Sequence, residues 1–179
     1  MRYVALLRGI NVGGKSKVKM SELKICFENL GLEDVRTYIN SGNVIFTTVK
    51  MDKQTLAKEI ELVIEKKFGF HVDVVVIDEF SYKNMIENVP KGWGEKGGWK
   101  YNSLFLIPPY DIDEIMADIG ELKPEIEIVV VGDGVIYQSI LFTSFGKTTS
   151  GKLASKSSYK KMTIRNWNTS RKLLELMNA

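Results

Sequence analysis

Gly9-Ile10-Asn11-Val12-Gly13-Gly14-Lys15-Ser16 satisfies the pattern G-x-x-x-x-G-K-[ST] completely. That spacing belongs to phosphate chemistry. Successive backbone N–H groups cradle phosphates, the lysine reaches the terminal phosphates, and the hydroxyl holds magnesium. Val74-Val75-Val76-Ile77-Asp78 imitates the apolar strand that ends in a metal-binding aspartate. A second near-match, residues 146–153, lacks the Ser/Thr after its lysine. Two features weigh against nucleotide hydrolysis. A phosphate-loop fold needs parallel strands joined by helical crossovers, whereas the next two strands here meet in a tight turn at Ser41-Gly42. Its lysine also sits in the first helical turn, while the helix expected here begins near Ser21 and leaves Lys15 in open loop. The milder chemistry survives: a phosphate or other anion held by loop amides without hydrolysis.

The other reactive residue types are sparse. His71 is the single histidine and has no Cys or His companion at ligand spacing, so no metal site is expected. Cys26, the single cysteine, lies between Leu23 and Phe27 on a helical stripe, and nothing in the sequence lowers its pKa. No Ser-His-Asp or Cys-His set assembles from one histidine. No catalytic residue, cofactor or metal is assigned. Arg8 and Asn11 could grip an anion or carboxylate; equally, Arg8 could pair with an acidic neighbour and Asn11 close its own turn. Ser41 and Asn43 read as turn formers first and ligands second. Trp167 could stack on a ring or anchor the last helix. Trp93 and Trp99 stand in a glycine-rich stretch that reads as a flexible join, with a mobile lid as the alternative.

The elements that must position these residues follow from periodicity. Residues 3–7 form a strand, and Met20, Leu23, Phe27 and Leu30 recur at helical spacing after Ser21, a candidate N-cap. Val35, Thr37 and Ile39 alternate as a strand, and residues 44–48 return as the next. A helix capped by Asp52 carries Leu56, Ile60, Ile64 and Phe68, and residues 72–77 are a β-branched strand. The order β-α-β-β-α-β then recurs. A helix over 81–89 and the connector lead to a strand over 101–107. Asp111 and Glu114 resemble a capping box, and Gly132-Asp133-Gly134 marks a hairpin. The lysine- and serine-rich stretch 150–161 is expected to be a helix. A last strand covers 162–165, with Asn168 capping the terminal helix. The fold class expected is α+β: two ferredoxin-like β-α-β-β-α-β repeats packed as one compact protein, with residues 1–80 as the first, 81–100 as helix and connector, and 101–179 as the second.

In such a repeat the end of strand one lies beside the start of strand three. That gathers Arg8, Asn11, Gly13, Gly14 and Lys15 next to Ser41 and Asn43. In the second repeat the loop opening its second helix and the end of its fourth strand share the opposite edge, which places residues 147–152, Lys152 among them, near Arg165, Asn166 and Trp167. Both edges are expected to bind ligand. With 179 residues, 44% hydrophobic, the chain can build a real core, and a net charge of +3 permits an anionic partner without demanding one. No apolar run approaches a membrane span, and a single cysteine excludes an internal disulfide. These features point to a soluble cytoplasmic protein of undefined oligomeric state. The function expected is binding of a phosphate-containing or carboxylate small molecule, or an unrecognised enzyme on the same loops. A single-stranded nucleic-acid module is the alternative, because RNA-recognition motifs share this element order. A phosphate-loop hydrolase and a protein-interaction module rank below these.

The opening residues 1–46 and the closing Lys161-Met162-Thr163-Ile164-Arg165-Asn166-Trp167-Asn168-Thr169 resemble the family called domain of unknown function 1697. The resemblance implies an α+β fold with ferredoxin-like repeats and no established activity, cofactor or substrate. By that resemblance Arg8, Gly9, Asn11, Gly13, Gly14, Arg36, Thr37, Ser41, Gly42 and Asn43, with Thr163, Arg165, Asn166 and Trp167, are signature positions, and Ser16 is not a fixed part of the motif.

Overall fold

The computed structural model describes residues 1–14, 16–49 and 51–179. The fold is mixed α and β, with two four-stranded antiparallel sheets. The chain divides into two units, Met1–Asn84 with Lys172–Ala179, and Met85–Arg171.

The first unit runs β1 (Arg2–Leu7), α1 (Met20–Glu28), β2 (Glu33–Tyr38), β3 (Asn43–Thr47), α2 (Lys53–Phe68) and β4 (Val74–Asp78), followed by α3 (Glu79–Glu87). Its sheet order is β2-β3-β1-β4. Alternation along β1 sends Tyr3, Ala5 and Leu7 toward α1 and α2, where they join Phe27, Phe46, Leu56, Ile60 and Ile64. Tyr3 stacks on Phe46 at 5.7 Å between ring centroids, and Phe27 meets Phe46 edge-on at 5.5 Å. Val4, Leu6 and Ile45, on the opposite face, are buried as well. This explains why β1 reads as a continuous apolar run rather than an alternating one.

Two local readings change. Ile39 is not in a strand: β2 stops at Tyr38, and Ile39 is exposed in the turn with φ 48°. Ser21 is not the cap of α1. The N-cap position is Lys19, which makes no side-chain capping bond, so Ser21 falls inside the first turn. Asp52, by contrast, does cap α2, its Oδ1 accepting from the Thr55 N–H at 2.8 Å.

Asp78 closes the far end of β4. It accepts from Lys53 Nζ at 2.9 Å and from both N–H and Oγ of Ser81, and so caps the start of α3. Burial alone would raise its pKa, but the Ser81 and Lys53 bonds outweigh that and hold the carboxyl at about 2, against an ordinary 3.8. A depressed pKa stabilises the fold above the unfolded value and loses that contribution as pH falls through the folded value. Asp78 therefore contributes about 2 kcal/mol that disappears between about pH 4 and pH 2. Asp78→Asn is expected to lower stability at pH 6 and to flatten that acid limb, read by urea unfolding across pH. An unaltered limb would refute the assignment.

The second unit runs β5 (Trp99–Leu106), α4 (Ile112–Ile119), β6 (Glu127–Val131), β7 (Val135–Leu141), β8 (Met162–Asn166) and the start of α5 (Trp167–Asn178). Its sheet order is β6-β7-β5-β8. Leu104, Leu106, Ile136 and Met162 pack against Ile115 and Ile119 of α4 and against Leu153. The hairpin at Gly132-Asp133-Gly134 forms, with Gly132 N–H donating to the Val135 carbonyl at 2.8 Å. Asp111 caps α4 by accepting from the Asp113 and Glu114 N–H groups.

The stretch expected to be a helix over 150–161 is instead two short 3-10 turns, Ser150–Ser155 and Ser157–Lys161, preceded by a third, Phe142–Lys147. The physical reason is composition. Serine and glycine are weak helix formers, and Leu153 and Tyr159 cannot make a stripe by themselves. The backbone is pinned by acceptors instead. Glu127 accepts from Thr149 and Ser150 N–H and from Ser150 Oγ, and Asp118 accepts from Ser157 Oγ and Ser158 N–H.

Candidate functional site

The loop after β1 and the turn between β2 and β3 lie side by side, held by Leu7 N–H donating to the Gly42 carbonyl at 2.8 Å. Three of the expected ligand residues, Asn11, Ser41 and Asn43, spend side-chain hydrogen bonds within these two loops. Asn11 Oδ1 accepts from Val18 N–H at 2.8 Å, and its Nδ2 donates to the carbonyls of Val18 and Asn40, each at 2.9 Å. Its amide thus ties both loops together. Asn43 is fully buried and donates to the Tyr38 carbonyl and to Ser41 Oγ, closing the turn. Arg8 faces the other way, its guanidinium 3.8 Å from the Asp73 carboxylate. Gly13 and Gly14 are exposed on the loop crest, and Lys15 lies outside the described residues.

What this junction creates is a cleft of about 770 Å³ at the N-terminus of α1, lined by Asn11, Gly14, Asn40, Lys17, Val18, Lys19, the first turn Met20–Glu22, and Phe68. The first intrahelical bond of α1 runs from Leu23 N–H to the Lys19 carbonyl at 2.9 Å, and no side chain at the N-cap position caps the turn before it. An uncapped helix start presents backbone N–H groups and the positive end of the helix dipole. Lys17 and Lys19 flank it. Glu22 limits the positive field, sitting 3.5 Å from Lys19 Nζ and 3.6 Å from Lys67 Nζ. Cys26, one turn deeper, is inert: burial pushes its thiol pKa up, against a smaller opposing pull from Lys67. Lys17 and Lys19 escaped the sequence reading, although the Lys17-x-Lys19 spacing just before a helix was the signal.

The strand arrangement is not that of a phosphate-loop fold. β4 runs antiparallel to β1, so Asp78 lies opposite Tyr3 while Val74 lies opposite Leu7, where the glycine loop departs. The aspartate and the loop are at opposite ends of the sheet, roughly 14 Å apart along the strand. Among the described residues, no group of three His, Cys, Asp or Glu side chains is placed to hold a metal ion. None of the described helices is long and apolar enough to cross a membrane. The aromatic residues of the central strands, Tyr3 and Phe46, stack inside the core on the helix side, so they do not offer a base-stacking platform.

The second edge is rearranged relative to expectation. Arg165 and Asn166 are neighbours in sequence but face opposite sides of β8, opposite Ser103 and Asn102 respectively. Arg165 is 6% exposed and donates to Thr163 Oγ1 at 2.8 Å. Asn166, rather than Asn168, caps α5, its Oδ1 accepting from Thr169 N–H at 2.8 Å. Lys152 is exposed on the segment tied to Glu127. The partner of Trp167 is instead the connector. A Cβ built at Gly94 would come within 2.8 Å of the indole, so only glycine lets the backbone pass there. Asn166, Trp167 and Asn168 line a second cleft, of about 410 Å³, with Gly94 and residues 96–101; Lys152 is not among its lining.

No curated protein matches the chain. A solved structure described as that of a conserved bacterial protein from Streptococcus pneumoniae is 33% identical, with a TM-score of 0.86 and coverage of 98% of each chain. A family model described as "Protein of unknown function (DUF1697)" matches residues 1–137, and so stops short of the closing segment 161–169 that carries part of the sequence resemblance. On the strength of that match, the chain belongs to the DUF1697 family of proteins of unknown function.

Proposed function

We propose that this protein binds a small molecule through a phosphate or carboxylate group at the start of α1. The observation that carries the reading is the uncapped first turn of α1 opening into a cleft flanked by Lys17 and Lys19. Backbone N–H groups and the helix dipole favour an anion there. Met20 and Phe68 on the same wall suit an apolar remainder. The framework we infer is a pair of ferredoxin-like repeats, residues 1–80 and 101–179 joined through 81–100, related by duplication. The parallel between β2-β3-β1-β4 and β6-β7-β5-β8 supports it. A cytoplasmic setting fits the single, buried Cys26.

Thermal unfolding in the presence of inorganic phosphate, phosphorylated sugars and dicarboxylates tests this. A ligand at about ten times its Kd stabilises by about 1.4 kcal/mol, which raises the melting temperature by roughly 3–5 °C for a chain of this size. Lys17→Glu with Lys19→Glu is expected to abolish the shift. Arg8→Ala is expected to leave it, since Arg8 is engaged with Asp73 outside the cleft. A shift that survives the lysine reversals, or no shift with any anion, would sink the proposal.

A further inference from the structure

We propose that the second unit binds a planar aromatic ring carrying an anionic group, of the nucleoside monophosphate class, in the cleft between the connector and the start of α5. This site shares no residue with the cleft at α1.

Three kinds of group converge there. Trp99 and Trp167 supply half-buried indole surface, on which a heteroaromatic ring stacks regardless of its identity. Lys96 supplies positive charge; Lys100, next to Trp99 on β5, sends its side chain to the other face of the strand. Lys96 Nζ stands over the Trp99 ring, 5.2 Å from its centroid, whereas Lys100 Nζ stands 5.8 Å from the centroid of Phe145, which does not line the cleft. The Lys96 ammonium is therefore held against one face of the Trp99 indole while the residue stays exposed. Asn168 supplies a primary amide, which can donate to and accept from a base edge together. A ring with hydrogen-bonding edges and an attached anion uses all three, whereas inorganic phosphate uses only Lys96. The cleft volume of about 410 Å³ lies in the range of small-ligand sites.

The wall formed by the connector is fixed, which makes the site preorganised. Trp93 is wedged edge-on against Tyr101 at 5.0 Å and Tyr137 at 5.9 Å between centroids. Lys96 N–H donates to Tyr101 Oη at 3.2 Å, and Phe142 N–H donates to the Gly98 carbonyl at 2.9 Å. The connector is thus folded onto the second sheet rather than swinging as a flexible join.

The tryptophans offer a direct readout. The chain has 3, at positions 93, 99 and 167. Trp99 and Trp167 line the cleft and Trp93 packs beside it against Tyr101, so quenching of intrinsic emission reads ligand entry. We would titrate AMP, GMP, CMP and UMP, with adenosine and inorganic phosphate as partial probes. At least one monophosphate should quench saturably, adenosine should bind about tenfold more weakly, and phosphate should not quench. Lys96→Ala should weaken the monophosphate about fivefold and leave adenosine unchanged, whereas Lys100→Ala should change neither. Trp99→Phe should weaken both. Absence of saturable quenching by all four monophosphates would overturn the proposal, as would quenching that is indifferent to the Lys96 and Trp99 substitutions. Single-stranded oligoadenylate is the remaining arm. Affinity no greater than that of AMP supports the monophosphate assignment. Tighter binding, with a salt slope steeper than one phosphate gives, would reassign the site to the polymer and overturn it.

Discussion

Gly42→Ala should destabilise the protein by about 2–5 kcal/mol. The residue has φ 78°, a left-handed backbone that costs an alanine about 1–2 kcal/mol. Space is the second term. An added Cβ would stand 2.7 Å from Leu7 Cβ and 2.8 Å from Ile10 Cδ1, both of fully buried residues, and overpacking of this kind costs about 1–3 kcal/mol. Leu7 cannot retreat, because its N–H bonds the Gly42 carbonyl and its side chain belongs to the core between the sheet and α2. Urea unfolding with an unchanged m-value would measure the loss. A change below 1 kcal/mol would mean that the two loops can part more easily than their packing suggests. Because the Asn11 amide spans the same junction, the substitution should also weaken anion binding at α1.

Glu127→Ala should cost about 3–5 kcal/mol. The carboxylate is 1% exposed and accepts from Lys123 N–H at 3.1 Å, Thr149 N–H at 2.9 Å, Ser150 N–H at 2.7 Å and Ser150 Oγ at 2.6 Å. Removing the acceptor leaves those donors buried, at about 1–3 kcal/mol for each one that water cannot reach. Glu127→Gln keeps one acceptor oxygen and should cost about half as much. Burial pushes the Glu127 pKa up, but the bonds from Ser150, Thr149 and Lys123 outweigh it and hold the carboxyl below its ordinary 4.5. Its stabilisation is complete above that unfolded value and fades as pH falls below it, so Glu127→Gln should also flatten the acid limb. Hydrogen exchange at residues 149 and 150 would localise the effect. Protection there that survives Glu127→Ala would show that the segment is held by something else.

The strands were legible because their apolar residues alternate or run in short blocks bounded by Gly, Pro and Asp. The same logic located the meeting of the loop after β1 with residues 40–43, since that adjacency follows from strand order alone. What strand order does not encode is where each polar group spends its hydrogen bonds. Asn11 looked like a ligand because its amide is versatile, and for that reason the fold uses it to join two loops. Arg165 is expected with Asn166 and Trp167, yet a strand sends consecutive side chains to opposite faces, so Arg165 is turned away while Asn166 and Trp167 line one cleft. The segment 150–161 was misread because lysine favours helices in isolation, while the acceptors that unwind it, Glu127 and Asp118, are distant in sequence. The connector was misjudged because four glycines in 92–98 suggest freedom, whereas Trp93 inserted between two tyrosines removes it.

The first unit draws on both ends of the described chain: Leu173 and Met177 of its segment Lys172–Ala179 are buried, and the Arg2 guanidinium donates to the Met177 carbonyl. On the ribosome this sets a timetable. At about 10 residues per second, roughly nine seconds separate the emergence of Asn84 from that of Lys172. A sheet of this size pairs in milliseconds to seconds. The nascent first sheet therefore forms well before its last apolar side chains are synthesised, and it must wait, partly uncovered, while the whole of Met85–Arg171 is translated. A slow codon stretch within that interval would prolong the exposure and should raise aggregation without changing a single residue.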